Sequence, residues 1–414
     1  MNFRGSESDE CQLLNRLRST PEIFAEIGAC SSAELKNQRR LRECFPEELV
    51  RAALTLHELR LRARPDYPQA DRLWLTRTGL EQATAVAVAQ HKAQRFSGQT
   101  VIADLCCGIG VDTAALSKYA SVNAFDTDPA MCLRCEWNSD VWGMSHPVQA
   151  QSLDVRTENW SNQVVHVDPD RRHGRDRPTK RLEEYMPPLE WMQELIGAAA
   201  GGALKLGPAS NFMQKFPGCE VELISLNGEC REATVWFGEL AGEYSFRATA
   251  LRSHRTASSD DQAVADGVPE YETLSVSADP LSAWAATAAE VGTWLHDPDP
   301  AVVRSGLLDV VAEQHNLQRL DPEEEYLTGD APIDSAFVTS FRVEAVLPNS
   351  LKELKAWTRR DPSKYYEIKC RHIPADATLI RRQLAVGDAA PRVILIARIA
   401  GVARIVIARR EPSP

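Results

Sequence analysis

The pattern of hydrophobic and polar positions changes along the chain. Up to about residue 97 helix-forming residues dominate: leucines interleave with charges over 33–64, and Ala, Val and Gln run without a helix breaker over 78–96. From residue 100 onward, short apolar runs alternate with segments of helix formers. Such alternation predicts a parallel sheet that helices cover on both faces. We therefore expect an α/β fold behind a helical N-terminal region.

Four regions follow from this pattern. Residues 1–98 are expected to form the helical region, and 99–252 the α/β domain. Residues 253–340 are expected to form a linker and a helical connecting region, because the segment 253–268 is polar and acidic. Residues 341–414 are expected to form a small α+β domain, since a short amphipathic helix is followed there by apolar strands.

Charge is unevenly distributed between these regions. The chain carries a net charge of -11, but residues 341–414 hold 15 Lys and Arg against 7 Asp and Glu, a balance of +8. The first 340 residues therefore carry -19. An acidic body with a basic C-terminal domain predicts a surface that meets phosphates. A basic face that serves only solubility remains the alternative.

Apolar runs and cysteines indicate a soluble, cytoplasmic protein. The longest apolar runs, such as 393–397, are too short to span a bilayer, and the N-terminus is acidic where a secretory signal would be basic. Ten scattered cysteines favour reduced thiols. Cys132 and Cys135 form a Cys-x-x-Cys, but no second pair follows and the histidines do not cluster, so no metal site is expected.

A glycine loop directly follows the first predicted strand. Gly108 and Gly110, two residues apart, let the backbone turn tightly and approach a ligand without an intervening Cβ. Asp126 stands where the second strand ends, and a carboxylate at that place can accept hydrogen bonds from both hydroxyls of a ribose. The pattern therefore suits an adenosine-containing ligand.

Two classes of adenosine cofactor fit such a loop. Nicotinamide dinucleotide enzymes place a third glycine three residues after the second, where this chain has Thr113. Asp104 and Asp112 flank the loop, and their charges would oppose a pyrophosphate but can bind the methionine ammonium of S-adenosylmethionine. Electrostatics therefore favours the methyl donor over the dinucleotide.

Several segments resemble known methyltransferases. The chain resembles the class I S-adenosylmethionine-dependent methyltransferases, and among them the trimethylguanosine synthase-like RNA methyltransferases, at 103–110, 125–129, Asn138 and Asp154. From about residue 76 to 410 it also resembles a bacterial methyltransferase family with a C-terminal THUMP-like domain, at 79–84, 168–172, 227–233 and 326–330. The resemblance implies a Rossmann-like catalytic sheet, S-adenosylmethionine as cofactor, and RNA as the partner of the THUMP-like domain.

The resemblance also implies which residues hold the cofactor. Asp104 and the glycine loop would hold the methionine part, Asp126 the ribose and Asp154 the adenine amine. Thr84 resembles a threonine that such enzymes place against the cofactor. Asp154 could instead be a loop carboxylate or a helix cap, and Thr84 a mid-helix residue. The predicted cofactor-binding residues are Thr84, Asp104, Cys106, Gly108, Gly110, Asp126 and Asp154.

The predicted reaction site is the turn after the fourth strand, formed by Asp168, Pro169 and Asp170. Methyl transfer requires a nucleophile aligned with the methyl group and an acceptor for a proton. Pro169 would fix the backbone, and Asp168 would offer an oxygen to the substrate. Enzymes that methylate exocyclic amines often have a second proline and an aromatic ring here, where this chain has Asp170 and Arg171. An amine acceptor is therefore not implied, and a simple strand-terminating turn is the alternative.

A basic loop follows that turn, with six Lys and Arg among residues 171–181. It begins at the edge of the sheet where open α/β folds bind ligands, so Arg171, Arg172 and Arg175 are predicted to contact an anionic substrate. A solvated surface loop is the alternative.

The sequence as a whole predicts a methyltransferase that acts on a nucleic acid, namely RNA. Trp357, Tyr365 and Tyr366 lie beside basic residues and could stack on bases or belong to the core. Two other functions stay open: a catalytically inactive module that binds S-adenosylmethionine or RNA, and a methyltransferase for a small anionic metabolite or a protein.

Overall fold

The computed structural model describes residues 9–28, 35–172, 174–175, 177–253 and 271–411. The described residues form two compact units: one lies within 1–219 and 232–242, the other within 220–231, 243–253 and 271–411. Apart from Ser253, the predicted linker over 253–268 lies outside the described residues. Among the described residues, no helix has the length and apolar character needed to cross a bilayer.

Helices dominate the first part of the first unit. They are α1 Asp9–Arg18, α2 Glu22–Gly28, α3 Leu35–Cys44, α4 Glu47–Ala63, α5 Arg77–Gln82, α6 Val86–Gln94, α7 Val111–Leu116, α8 Pro129–Trp142 and α9 Leu189–Ala198. The strands from residue 101 to residue 278 are β1 Val101–Leu105, β2 Ser121–Asp126, β3 Val148–Ser152, β4 Val164–Val167, β5 Gly201–Leu206, β6 Glu220–Leu226, β7 Glu229–Gly238, β8 Phe246–Ser253 and β9 Tyr271–Ala278.

The first unit contains the predicted parallel sheet. Its strands follow the order β3-β2-β1-β4-β5-β7, with β1 to β5 parallel and β7 antiparallel to β5. Strands β4 and β5 are buried at every position, as expected for strands covered on both faces. Because the strands are parallel, the residues after β1, β2 and β4 meet at one edge of the sheet.

The N-terminal helices share one hydrophobic core with this sheet. Trp74 packs edge-on against Trp137 of α8, with ring centroids 4.8 Å apart. The buried amide of Asn138 accepts from the backbone N–H of Trp74 at 2.7 Å and donates to its carbonyl at 3.1 Å. The segment before β1 is therefore packed into the α/β unit.

The helix predicted over 78–96 is interrupted by a short extended segment. Helix α5 ends at Gln82 and α6 begins at Val86, with ψ of 142° at Ala83 and 137° at Ala85. The hydroxyl of Thr84, between them, donates to the carboxylate of Asp112. A tertiary contact thus outweighs the helix propensity of an alanine-rich run.

The second unit has two sheets and short helices. Its elements after β9 are β10 Trp294–Pro298, α10 Pro300–Ser305, α11 Leu308–Gln314, β11 Gln318–Arg319, β12 Leu327–Gly329, β13 Val338–Pro348, α12 Leu351–Arg360, β14 Tyr366–Cys370, α13 Ala377–Arg381, β15 Arg392–Ile399 and β16 Val402–Arg410. Strands β6, β8 and β9 pair in that order, and the other sheet has the order β11-β12-β10-β13-β16-β15-β14. The connecting region, predicted to be helical, thus also contains strands.

Candidate cofactor and catalytic site

The glycine loop between β1 and α7 packs closely against α8 at Gly110 and borders open space at Gly108. Gly110 has φ of +85°, and a Cβ at this position would lie 2.9 Å from Cα and Sγ of Cys135 in α8. Only glycine lets α8 pack so near the loop. Gly108 has φ of +54°, but a Cβ there would meet no atom within 4 Å. Backbone at Gly108 therefore borders open space in which a ligand can approach.

Asp126 holds the loop from the end of β2. One carboxylate oxygen accepts from the backbone N–H of Gly108 at 3.1 Å, and the other from that of Asp128 at 3.0 Å. Burial raises the pKa of Asp126 above its usual value, although these two N–H groups oppose the shift. Each oxygen keeps a further lone pair, so the carboxylate can still accept from ligand hydroxyls.

Asp104 lies beneath the loop and is only 1 % exposed. It pairs in register with His166 of the neighbouring strand, and Nδ1 of His166 donates to its carboxylate at 2.7 Å. The hydroxyl of Thr113 donates to the other oxygen. Asp104 thus ties β1, β4 and α7 together, and its predicted contact with the methionine part stays a prediction.

A buried ion-pair network continues from Thr84. Lys92 of α6 is 2 % exposed, and its Nζ lies 2.9 Å from Asp112 and 2.7 Å from Glu232. Burial alone would lower the pKa of Lys92, but the two carboxylates outweigh it and raise the pKa. Burial would likewise raise the pKa of Asp112, but the charges of its basic neighbours hold it well below its usual range. Thr84 is therefore anchored to a buried ion-pair network.

Carboxylates converge on the thiol of Cys106, at the start of the loop. Burial raises the pKa of Cys106 well above its usual value, and the charges of Asp126, Asp168, Asp104 and Asp170 raise it further. The thiol is therefore protonated, which argues against a nucleophilic cysteine. Four of the predicted carboxylates thus act electrostatically on this one thiol, and their negative charge suits a cationic ligand.

Neighbours hold both carboxylates of the turn after β4. One oxygen of Asp168 lies 2.6 Å from Nζ of Lys205, while 28 % of the side chain remains exposed. Oδ1 of Asp170 accepts from the amide of Gln82 at 3.1 Å and from the backbone N–H of Arg172 at 2.8 Å. Burial raises the pKa of Asp168 despite the opposing charge of Lys205. Asp168 is therefore oriented yet accessible.

Arg171 lies next to this turn. A Cβ on Gly207, after β5, would come within 2.7 Å of Nη1 of Arg171, so glycine makes room for the guanidinium. The charge of Arg171 also lowers the pKa of Asp168. A substrate anion at Asp168 would therefore meet a cation.

The other two predicted arginines have carboxylate partners. Arg172 pairs with Glu81 at 2.8 Å, and Arg175 pairs with Glu184 at 2.5 Å. His173 and Asp176 of the same loop lie outside the described residues. The charge of the basic loop is therefore partly neutralised within the protein.

Asp154 follows β3 and caps the 3-10 turn Val155–Thr157. The guanidinium of Arg156 grips both of its oxygens, at 2.9 Å and 2.6 Å, and this contact holds the pKa of Asp154 below its usual value. The carboxylate of Asp154 also accepts from the backbone N–H of Arg156, as expected if Asp154 is a helix cap. Its predicted contact with an adenine amine stays a prediction.

Sequence reasoning missed the basic residues behind the site. The sequence indicates no role for Lys92, His166 or Lys205, and Gln82 and Glu232 occur only as members of the resembling segments 79–84 and 227–233. The usable signal was a lone charged residue inside a run that is otherwise apolar, as Lys205 is in 201–206. Across the described ranges, no group of His, Cys, Asp and Glu is arranged to hold a metal ion.

Known proteins match the C-terminal domain alone and also most of the chain. A family model described as THUMP domain-like matches residues 338–410, which run from β13 to β16. An uncharacterised S-adenosylmethionine-dependent methyltransferase of Mycobacterium tuberculosis, found in two strains, is 31% identical over 336 residues, which are 79% of this chain and 85% of the relative. The structure of a candidate methyltransferase from Porphyromonas gingivalis has a TM-score of 0.72 at 19% identity, covering 98% of this chain and 100% of that one.

These matches bear on the sequence predictions. The predicted α/β fold with its THUMP-like domain, the enzyme class and the cofactor are confirmed. The closer relation to trimethylguanosine synthase-like enzymes and the individual site residues stay predictions. The chain belongs to the S-adenosylmethionine-dependent methyltransferases.

Proposed function

We propose that this methyltransferase transfers the methyl group of S-adenosylmethionine to RNA. The observation that carries the choice of RNA is a group of lysines and arginines on the THUMP-like domain that have no carboxylate partner within the described residues. Catalysis is assigned to the edge of the parallel sheet at which β1, β2 and β4 end.

The cofactor is assigned to the glycine loop and the carboxylates around it. Gly108 offers open backbone, Asp126 offers lone pairs for the ribose, and the carboxylates around Cys106 complement a positive charge. S-adenosylmethionine supplies a methyl group activated by a sulfonium. The residues proposed to hold it are Thr84, Asp104, Cys106, Gly108, Gly110, Asp126 and Asp154.

The reaction is assigned to Asp168, Pro169 and Asp170. The partly exposed carboxylate of Asp168 accepts a hydrogen bond from the nucleophilic group of the substrate and orients it, which is the main contribution that a methyl transfer needs. Buried Pro169 fixes the turn, and Asp170 is locked by Gln82. Because the carboxylate pKa is raised, Asp168 can also take the proton that a methylated nucleophile releases.

The basic residues of the THUMP-like domain differ in whether they are neutralised. Arg392 pairs with Glu344 and Asp361, and Lys369 pairs with Asp297. On α12, by contrast, the described structure gives no ion pair to Lys352, Lys355, Arg359 or Arg360. Three of these four are exposed, all but Lys355. Unneutralised cations on one helix suit a phosphate backbone.

One aromatic ring of the THUMP-like domain is exposed enough to reach a base. Tyr365 is 49 % exposed, with the guanidinium of Arg381 5.2 Å from its ring centroid. Tyr366 is buried in the core, and Trp357 is less exposed than Tyr365. We therefore assign base stacking to Tyr365 alone.

The basic loop is assigned to the substrate. The charge of Arg171 acts on Asp168, so we assign to Arg171 a phosphate next to the target base. Arg172 and Arg175 would exchange Glu81 and Glu184 for phosphate oxygens, since exposed ion pairs contribute little stability and exchange readily.

The test is to incubate the full chain with S-adenosylmethionine labelled in the methyl group and with separate pools of RNA, protein and small metabolites. Label is expected in RNA. The variant Lys352→Gln/Arg359→Gln/Arg360→Gln should lose RNA labelling while still binding the cofactor. The matched control Arg342→Gln/Arg398→Gln/Arg410→Gln removes three cations that have carboxylate partners and should keep it. Label only in protein or metabolites would overturn the RNA assignment.

A further inference from the structure

Strand β5 contains a lysine although every one of its positions is buried. Lys205 is 7 % exposed and lies among apolar residues of the strand. Leu204 pairs with Val167, so the next residues along the parallel strands, Lys205 and Asp168, stand side by side. An ammonium in such a place requires partners that offset its lost hydration.

The nearest of those partners belongs to the proposed reaction site. Nζ of Lys205 lies 2.6 Å from Oδ2 of Asp168, 3.3 Å from the carbonyl oxygen of Gln82 and 3.8 Å from Asp112. The side-chain amide of the same Gln82 donates to Asp170. Lys205 and Gln82 together therefore brace both carboxylates of the turn.

We propose that Lys205 is a positioning residue for methyl transfer, which holds the Asp168 carboxylate in one orientation and in its ionised form. This inference rests on the proposed role of Asp168 as the group that accepts a hydrogen bond from the substrate. Lys205 acts through Asp168, and Gln82 fixes the other end of the same turn.

The charges around Asp168 define what Lys205 contributes. Lys205 faces it from β5, Asp112 from α7, Arg171 from its own turn, and the Cys106 thiol from the loop. Burial raises the pKa of Asp168 and the charge of Asp112 adds to this, while Lys205 is the strongest opposing charge. Without Lys205, the carboxylate should take up a proton at a higher pH.

The first test measures protonation of Asp168 directly and needs no methyl acceptor. Carbon NMR of protein labelled at the aspartate carboxyl gives the titration midpoint of Asp168, assigned by its loss in Asp168→Asn. In Lys205→Met the midpoint should rise by about 1 pH unit or more, because an adjacent opposite charge shifts a carboxyl by about that much. Lys205→Arg should restore it. An unchanged midpoint in folded Lys205→Met would overturn the inference.

Control variants show whether the shift in the midpoint of Asp168 is specific to Lys205 or follows from the removal of any lysine. Lys215→Met removes a lysine that pairs with Glu183 and not with a carboxylate of the turn, and it should leave the midpoint of Asp168 unchanged. Lys205→Gln retains a hydrogen-bond donor without charge, so it serves if Lys205→Met fails to fold. Lys205→Gln should raise the midpoint as well, and an unchanged value would equally overturn the proposal.

The second test uses methyl transfer itself. Lys205→Met should lower the rate at least tenfold near neutral pH and move the acid limb of the pH–rate profile to higher pH, while cofactor affinity changes little. In an Asp168→Asn background, the same substitution should change the rate less than twofold, since the two residues act as one unit. Equal losses in both backgrounds would show a merely structural lysine. Absence of methyl transfer by the unaltered protein would refute the proposed function, while the NMR titration would still decide the role of Lys205.

Discussion

Asp104 and His166 lie opposite each other on adjacent parallel strands, and a hydrogen bond of 2.7 Å joins their side chains beneath the glycine loop. His166 also lies 3.5 Å from Nζ of Lys92, so the pair connects the loop to the buried ion-pair network. The shape of the glycine loop therefore depends on polar contacts inside the sheet as well as on its glycines.

Replacing His166 tests this dependence. His166→Ala leaves a buried oxygen of Asp104 without its donor, which should cost about 1 to 3 kcal/mol in the free energy of unfolding. Urea unfolding measures that loss, and calorimetry should show weaker binding of S-adenosylmethionine. His57→Ala, at a half-exposed site on α4, serves as the control and should change neither quantity appreciably.

The ribose assignment is tested at Asp126. Asp126→Ala should weaken binding of S-adenosylmethionine about 10- to 100-fold, because hydrogen bonds to a charged group contribute about 1.5 to 3 kcal/mol. Isothermal calorimetry measures the change, with Asp140→Ala at the exposed end of α8 as the control. Unaltered affinity in Asp126→Ala would move the cofactor away from the end of β2.

The two loop glycines should respond differently to alanine. Gly110→Ala forces a Cβ against Cys135 at positive φ, so thermal unfolding should show a marked loss of stability. Gly108→Ala pays only the backbone penalty of about 1 to 2 kcal/mol, since its Cβ enters open space. That methyl group should instead obstruct the cofactor, so Gly108→Ala is expected to stay folded with much reduced affinity. Equal losses of stability in the two variants would contradict the open space beside Gly108.

The pH dependence of cofactor binding should show whether the negative charges of Asp126 and Asp168 contribute to affinity. Burial raises the pKa of Asp126 and of Asp168, so these carboxylates take up protons at a higher pH than exposed aspartates do. As pH falls, the site loses negative charge, and affinity for the cationic sulfonium should fall more than affinity for the neutral thioether product. Calorimetry of both ligands between neutral and mildly acidic pH measures the ratio. A ratio independent of pH would exclude this electrostatic preference.

The RNA assignment predicts a specific salt dependence. Each phosphate contact with a single strand contributes about 0.7 to the slope of log affinity against log salt concentration. Losing the three exposed cations of α12 should therefore reduce the slope by about 2. Fluorescence anisotropy with a labelled RNA at several salt concentrations measures both slopes. The control variant Arg342→Gln/Arg398→Gln/Arg410→Gln removes three cations that have carboxylate partners, and it should retain the slope of the unaltered protein.

Local signals explain which features the sequence predicts well. The apolar run at 101–105 and the adjacent glycines indicate a strand and loop by themselves, and Asp126 follows from its place after the next strand. Asn227 and Gly228, whose order is typical of a tight turn, both adopt positive φ, 51° and 79°. In each case the residues that determine the conformation are neighbours in the chain.

The features that escaped prediction depend on residues distant in sequence. Lys92 and His166 are 74 positions apart, and no local pattern announces that they meet. Thr84 sits in an alanine-rich run whose propensity favours helix, yet its contact with Asp112 breaks it. The charge of the basic loop likewise gives no hint that Glu81 neutralises Arg172.

The buried amide of Asn138 has a wider consequence. Besides the backbone of Trp74, it donates to the carbonyl of Ile109 within the glycine loop at 2.9 Å. One side chain thus joins the segment between α4 and α5, helix α8 and the glycine loop. Truncating the chain just before α5 would therefore remove the Trp74 contacts of the side chain that also holds the glycine loop at Ile109.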